Sequence, residues 1–120
     1  ERIVADYPNC VLDFGAGHTV HSNKVLFERV KTTLALQPNV ILLLPSANLD
    51  ESITILQERM LERVAEYAED GEDYSWAIEE NKFFILHPSN MQLAKMIVYT
   101  ENKSPAETCR EIIKLVSNSN

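Results

Sequence analysis

The sequence predicts an α/β domain built on a parallel sheet. Short apolar runs of strand length alternate with longer stretches of helical periodicity. One run, Asn39 to Leu44 (Asn-Val-Ile-Leu-Leu-Leu), carries no alternating polar residue, the pattern of a strand whose two faces are both covered by helices. The connections between runs are longer than a hairpin needs, so successive strands are expected to run parallel with right-handed crossovers.

Each element has its own signal. Cys10 to Phe14 reads as a first strand that stops at Gly15-Ala16-Gly17, which holds two of the three glycines. From about Asn23, the residues Leu26, Phe27, Val30 and Leu34 form the apolar face of a helix, closed by Pro38-Asn39. The second strand, Val40 to Leu44, ends at Pro45-Ser46. Asn48 followed by Glu51 resembles a capping box, and Ile53, Leu56, Met60, Val64 and Tyr67 continue as the longest helix. Glu69-Asp70-Gly71-Glu72-Asp73 is an acidic loop, and such charge runs ordinarily serve solvation. A shorter helix through Trp76 and Phe83 runs to Pro88, and Ser89 or Asn90 caps a further turn containing Leu93. Met96 to Thr100 is a third strand. Ser104-Pro105-Ala106-Glu107 then places an N-cap, a first-turn proline and a capping glutamate before a helix with Cys109, Ile112, Ile113 and Val116 on its apolar face.

Composition narrows the function. The 120 residues suffice for one domain, 1–120, and not for two. Because the chain opens on Glu1 rather than Met, it is read as part of something longer. A net charge of −7 leaves no basic stripe, which argues against nucleic acid and against anionic membrane surfaces. The longest apolar run is far below the roughly 20 residues that cross a bilayer. Cys10 and Cys109 lack the spacing of a disulfide framework or a zinc site, so a cytoplasmic setting is expected.

The chemistry-bearing stretch is Asp13-Phe14-Gly15-Ala16-Gly17-His18. Ligands of open parallel sheets gather at the carboxyl ends of strands, where this stretch is expected to lie. Glycines admit a close approach of backbone N–H groups to a substrate, Asp13 can accept a hydrogen bond, and His18 can exchange a proton. The same pattern also describes a plain strand-to-helix turn. His18 and His21 lack a third metal ligand at diagnostic spacing. Arg59 and Arg63, one helical turn apart, offer a small cationic surface or pair with Glu58, Glu62 or Glu66. No GxxxxGK[ST] occurs, so the chain carries no phosphate cradle of its own.

Val11-Leu12-Asp13-Phe14-Gly15-Ala16-Gly17-His18 resembles the third strand and substrate-side glycine loop of shikimate kinases and related P-loop kinases. Val40 to Leu44 and the helix reaching Glu58-Arg59 resemble the fourth strand and the approach to the mobile lid, and Met96 to Thr100 with Ser104-Pro105-Ala106-Glu107 resembles the last strand and closing helix. The likeness spans nearly the whole chain but only the back part of that fold. It implies a three-layer α/β fold of P-loop kinase type, with strands three to five of a 2-3-1-4-5 order and covering helices, as the C-terminal part of a kinase-like domain. The first two strands here would then flank a slot filled by a missing N-terminal segment or a partner chain, while Val40–Leu44 pairs directly with Ile97–Thr100. The arginine-proline-leucine lid signature is absent, and the loop reads Gly-Ala-Gly-His rather than three glycines. Shikimate itself is therefore not implied as the substrate.

What the resemblance implies for function is an ATP-dependent phosphotransferase acting with Mg²⁺ on a hydroxyl of a small molecule. Gly15, Ala16, Gly17 and His18 would bind the acceptor, Asp13 would orient it, and Arg59 would approach the transferring phosphate. A noncatalytic α/β interaction module lacking the nucleotide site is the alternative, and a Rossmann-like or methyltransferase-like cofactor binder is a third reading.

Overall fold

A computed structural model of the chain describes residues 1–67 and 73–118. Its elements, in order, are α1 (Arg2–Asp6), a 3₁₀ turn (Ala16–His18), α2 (Lys24–Ala35), β1 (Ile41–Leu44), α3 (Leu49–Tyr67), α4 (Ser75–Leu86), α5 (Pro88–Leu93), β2 (Met96–Tyr99) and α6 (Pro105–Asn118). β1 and β2 pair in parallel with Ile41 opposite Met96 and Leu44 opposite Tyr99. The expected pairing of the second and third apolar runs is thus present.

The expected three-layer, three-stranded sheet in 2-3-1-4-5 order is not. The described chain is 62% helical and holds a sheet of two strands only. Val11–Phe14 joins no sheet, and Val11 is 98% exposed. A strand exists only where a neighbouring backbone takes up its N–H and C=O groups, and β1 and β2 offer theirs to each other. An apolar run without a ladder stays irregular, which is the state of residues 11–14.

Helix boundaries follow the sequence closely because side chains enforce them. Asn23 Oδ1 accepts from the N–H groups of Val25 and Leu26 and starts α2. Asn48 Oδ1 does the same for Asp50 and Glu51 at the start of α3. Glu51 does not close a capping box on Asn48; its carboxylate accepts instead from the Ser46 hydroxyl, which in turn accepts from Asn48 N. At α6 the box is complete: Ser104 Oγ accepts from Glu107 N, and Glu107 Oε2 accepts from Ser104 N at 2.7 Å. The acidic stretch Glu69–Asp73 lies outside the described residues except for Asp73, which accepts from Ser75 N as α4 begins.

The core is small. Leu34, Leu44, Ile53, Leu93 and Val98 are its buried apolar residues, one each from α2, β1, α3, α5 and β2. On α2 the half-buried Phe27 and Val30 lead to Leu34, while Leu26 faces outward. On α6 the buried and half-buried set is Thr108, Glu111, Ile112, Leu115 and Val116, so Ile112 and Val116 lie inward as expected. Cys109 and Ile113, expected inside, are exposed, because β2 meets the neighbouring strip of the helix. One long-range and one local contact tie the sheet to its surroundings. Lys95 Nζ donates to the carbonyls of Ala35 and Gln37 at the end of α2. The buried Ser52 hydroxyl accepts from Ser46 N and donates to Ser46 O, fixing the turn between β1 and α3.

Candidate functional site

The Gly15–His18 stretch meets the His87–Asn90 corner in the folded chain. Gly15 O accepts from His18 N at 2.9 Å and closes the 3₁₀ turn, which packs on α4. Thr19 Oγ1 then donates to Asn90 Oδ1 at 2.6 Å. Asn90 Nδ2 donates to Phe84 O in the last turn of α4, and that bond fixes the amide so that Oδ1 faces Thr19. His21 N donates to Ser89 Oγ at 3.5 Å, with Ser89 almost wholly buried. The imidazole of His21 donates through Nε2 to His18 O at 3.0 Å, which pins the turn from its far side.

The corner between α4 and α5 is itself built from side chains. His87 caps α5, its Nδ1 accepting from Ser89 N at 3.3 Å, and Pro88 occupies the first helical position, where a missing N–H costs nothing. His87 also stands edge-on to Phe83, with ring centroids 5.3 Å apart. A shallow groove of about 370 Å³ beside this corner is lined by Glu79, Lys82, Phe83, Leu86, His87 and Pro88.

The glycines behave differently from expectation. Neither Gly15 nor Gly17 occupies the left-handed region, and a Cβ would find ordinary contacts: His18 Nδ1 at 3.5 Å from Gly15, and Phe84 Cζ at 4.0 Å from Gly17. Their value to the fold is small. What they leave is open backbone beside exposed polar side chains, for Asp13, Gly15, Gly17 and His18 all face solvent. Ala16 lies within the 3₁₀ turn.

Arg59 sits apart, exposed on α3, and no hydrogen bond or ion pair joins it to Asp13 or to a glutamate among the described residues. Arg63 is likewise exposed. The structure therefore gathers Gly15, Gly17, His18 and the 87–90 corner and leaves Arg59 on a separate helix. Among the described residues, no group of three His, Cys, Asp or Glu side chains is placed to hold a metal ion.

At the carboxyl ends of β1 and β2, the expected location of a ligand in a parallel sheet, the helix N-termini are already occupied. Ser46, Asn48 and Glu51 fill the start of α3. Ser104 and Glu107 fill that of α6, and the hydrogen bonds from Ser104 hold the Glu107 carboxyl below its ordinary value. Asn102 turns the chain between β2 and α6 with φ of 58°, a conformation that asparagine tolerates.

Sequence reasoning missed Thr19 and Phe84, whose parts depend on partners 71 and 6 residues away. Ser89 and Asn90, expected to cap the turn containing Leu93, lie inside α5 instead, which His87 caps, and both reach a loop distant in sequence. No protein-family model, curated protein or solved structure matches the chain. No helix among the described residues is long and apolar enough to cross a membrane.

Proposed function

We propose that this chain is the acceptor-binding side of an ATP-dependent phosphotransferase that acts on a hydroxyl of a small molecule. The observation that carries the reading is the docking of the Gly15–His18 turn on the 84–90 corner. It presents Asp13, His18 and two glycines to solvent on a braced loop, and holding an acceptor in one orientation is most of what phosphoryl transfer asks of such a loop. In this reading Gly15, Ala16, Gly17 and His18 contact the acceptor, Asp13 orients its hydroxyl, and Arg59 approaches the transferring phosphate through a movement of α3 or of the acceptor. Two free, exposed thiols, Cys10 and Cys109, accord with a reducing cytoplasmic setting.

The residues present do not fit ATP and Mg²⁺ by themselves. The chain contains no GxxxxGK[ST], and no three-ligand cluster stands among the described residues. In this reading the nucleotide and its metal would be held by residues other than these. The same observation favours a second reading, a noncatalytic module that binds without transferring phosphate. Calorimetric titration of the complete protein with ATP in the presence of Mg²⁺ separates them: saturable binding is expected from the phosphotransferase, and its absence moves the assignment to the module.

A further inference from the structure

We propose that the outer face of α4 is a self-complementary surface that joins two copies of this chain in an antiparallel, two-fold pair, with Trp76 of each copy seated in the groove beside Phe83 and Leu86 of the other. The inference stands independently of the phosphotransferase reading, on the placement of side chains along one helix.

Ala77, Ile78, Asn81, Phe84 and Ile85 are half-buried, on the side of α4 that packs on α3 and the 3₁₀ turn. On the opposite side Trp76 is 63% exposed, Phe83 49% and Leu86 47%. At 3.6 residues per turn these three fall within about 80° of one another and form a single stripe. The groove of about 370 Å³ lies toward the C-terminal end of that stripe, beside Phe83, Leu86 and Pro88, and Glu79 and Lys82 flank it. Trp76 stands at the N-terminal end. One face of one helix thus carries a projecting ring at one end and a hollow at the other.

Such a face fits a copy of itself turned end for end, since a two-fold contact needs one patch that is complementary to itself. The register centred between Glu80 and Asn81 sets Trp76 over the hollow of the second copy. The same register sets Glu79 opposite Lys82 of the second copy, twice by symmetry, and neither side chain forms an ion pair within the chain among the described residues. Glu80, on the other flank of the stripe, meets its own counterpart and is the one repulsive pair. The net charge of −7 on each copy is screened beyond about 8 Å at physiological salt, so the pairs at the contact decide. A basic partner of unrelated sequence would match that charge but not the matched ring and hollow. The chain also has surface to spare. Its accessible area is 8802 Å², where a folded monomer of 13.7 kDa has about 6,600 Å². The excess of about 2,200 Å² is more than twice the roughly 800 Å² that each partner gives to a standard interface.

Sedimentation of the complete protein over a range of concentrations tests the pair, and a reversible dimer with a micromolar dissociation constant is expected. Trp76→Ala raises that constant about 30-fold, as loss of an anchoring aromatic does. Circular dichroism below the dissociation constant shows the fold retained, because the ring is exposed in the single chain. Lys82→Glu raises the constant about 10-fold, and adding Glu79→Lys to the same chain restores it, since the exchanged charges meet again across the two-fold. Glu80→Gln tightens the dimer. A complete protein that stays monomeric, whether α4 is bare or covered by another part of the same polypeptide, overturns the proposal, as does association with a different protein alone. A dimer indifferent to Trp76→Ala and Lys82→Glu uses another surface and overturns it equally. So does a loss in Lys82→Glu that Glu79→Lys fails to restore.

Discussion

Thr19 and Asn90, 71 residues apart in sequence, are joined by a 2.6 Å hydrogen bond that fastens the Gly15–His18 turn to the corner of α4 and α5. Asn90 is the pivot, since its amide also donates to Phe84 O. Removing Thr19's hydroxyl forfeits its part-buried bond to Asn90, about 1 kcal/mol. Removing the Asn90 side chain forfeits two bonds, the acceptor for Thr19 and the donor to Phe84 O, at about 1–3 kcal/mol. Asn90→Ala is therefore expected to lower the melting temperature more than Thr19→Val, and both should speed amide exchange at His18 and His21 while sparing the β1–β2 ladder. Equal exchange in both regions would show that the bond does not brace the turn.

Gly15→Ala and Gly17→Ala should fold normally. Neither position needs a left-handed backbone, and a methyl group meets nothing closer than 3.5 Å. Replacing glycine where its conformation is open to alanine is stabilising by about 0.4–1 kcal/mol, through the unfolded chain. Melting curves at or above that of the unsubstituted protein are the expected result. If these proteins nonetheless bind an acceptor less tightly, the loss reports contact with the ligand rather than damage to the fold.

Capping and periodicity made the helices legible, because both act within a few residues: Asn23, Asn48 and Ser104 start helices where their side chains predict. That β1 belongs to a parallel pair was legible from an apolar run without alternation, whereas its pairing with β2 was an expectation of the family resemblance. Val11–Phe14 was misread since its apolar character is the same whether or not a neighbouring strand exists, and strand formation depends on that neighbour. Ile113 and Cys109 were placed inside by a periodicity that fixes an apolar strip but not which side of it the sheet meets. In the site, Gly15–His18 stood out by residue type, whereas Thr19 gained its part only from a partner on α5.

The start of α6 should weaken in acid. Hydrogen bonds from the backbone and side chain of Ser104 hold Glu107 below its ordinary 4.5, so the folded state favours the ionised form. The stabilisation is present above that ordinary value and is lost as pH falls through the lowered one. Glu107→Gln should remove this part of the acid dependence, seen as lower protection against exchange at the first turn of α6 that no longer falls further in acid once intrinsic rates are divided out. An unchanged acid profile in Glu107→Gln would place the dependence elsewhere.

Lys95 should matter more than an exposed lysine ordinarily does. Its ammonium donates to two carbonyls at the end of α2, where a cation also complements the helix dipole. Lys95→Met keeps the stem and removes the donor, and denaturant titration is expected to show a loss of about 1 kcal/mol. Lys114, exposed on α6 with no ion pair among the described residues, is the comparison site, and Lys114→Met should change stability by less than about 0.5 kcal/mol.

Asp13 faces solvent and makes no hydrogen bond or ion pair among the described residues, so the fold does not depend on its charge. The measurement to make is phosphoryl transfer by the complete protein from Mg²⁺-ATP to a pool of small hydroxyl compounds, read by mass spectrometry as the gain of one phosphoryl group with release of ADP. The unsubstituted protein should phosphorylate a member of the pool. Asp13→Asn, with an unchanged melting temperature, should do so about 100-fold more slowly. A complete protein that neither binds ATP nor transfers phosphate to any member of the pool contradicts the phosphotransferase assignment, and transfer undiminished in Asp13→Asn contradicts the part given to Asp13.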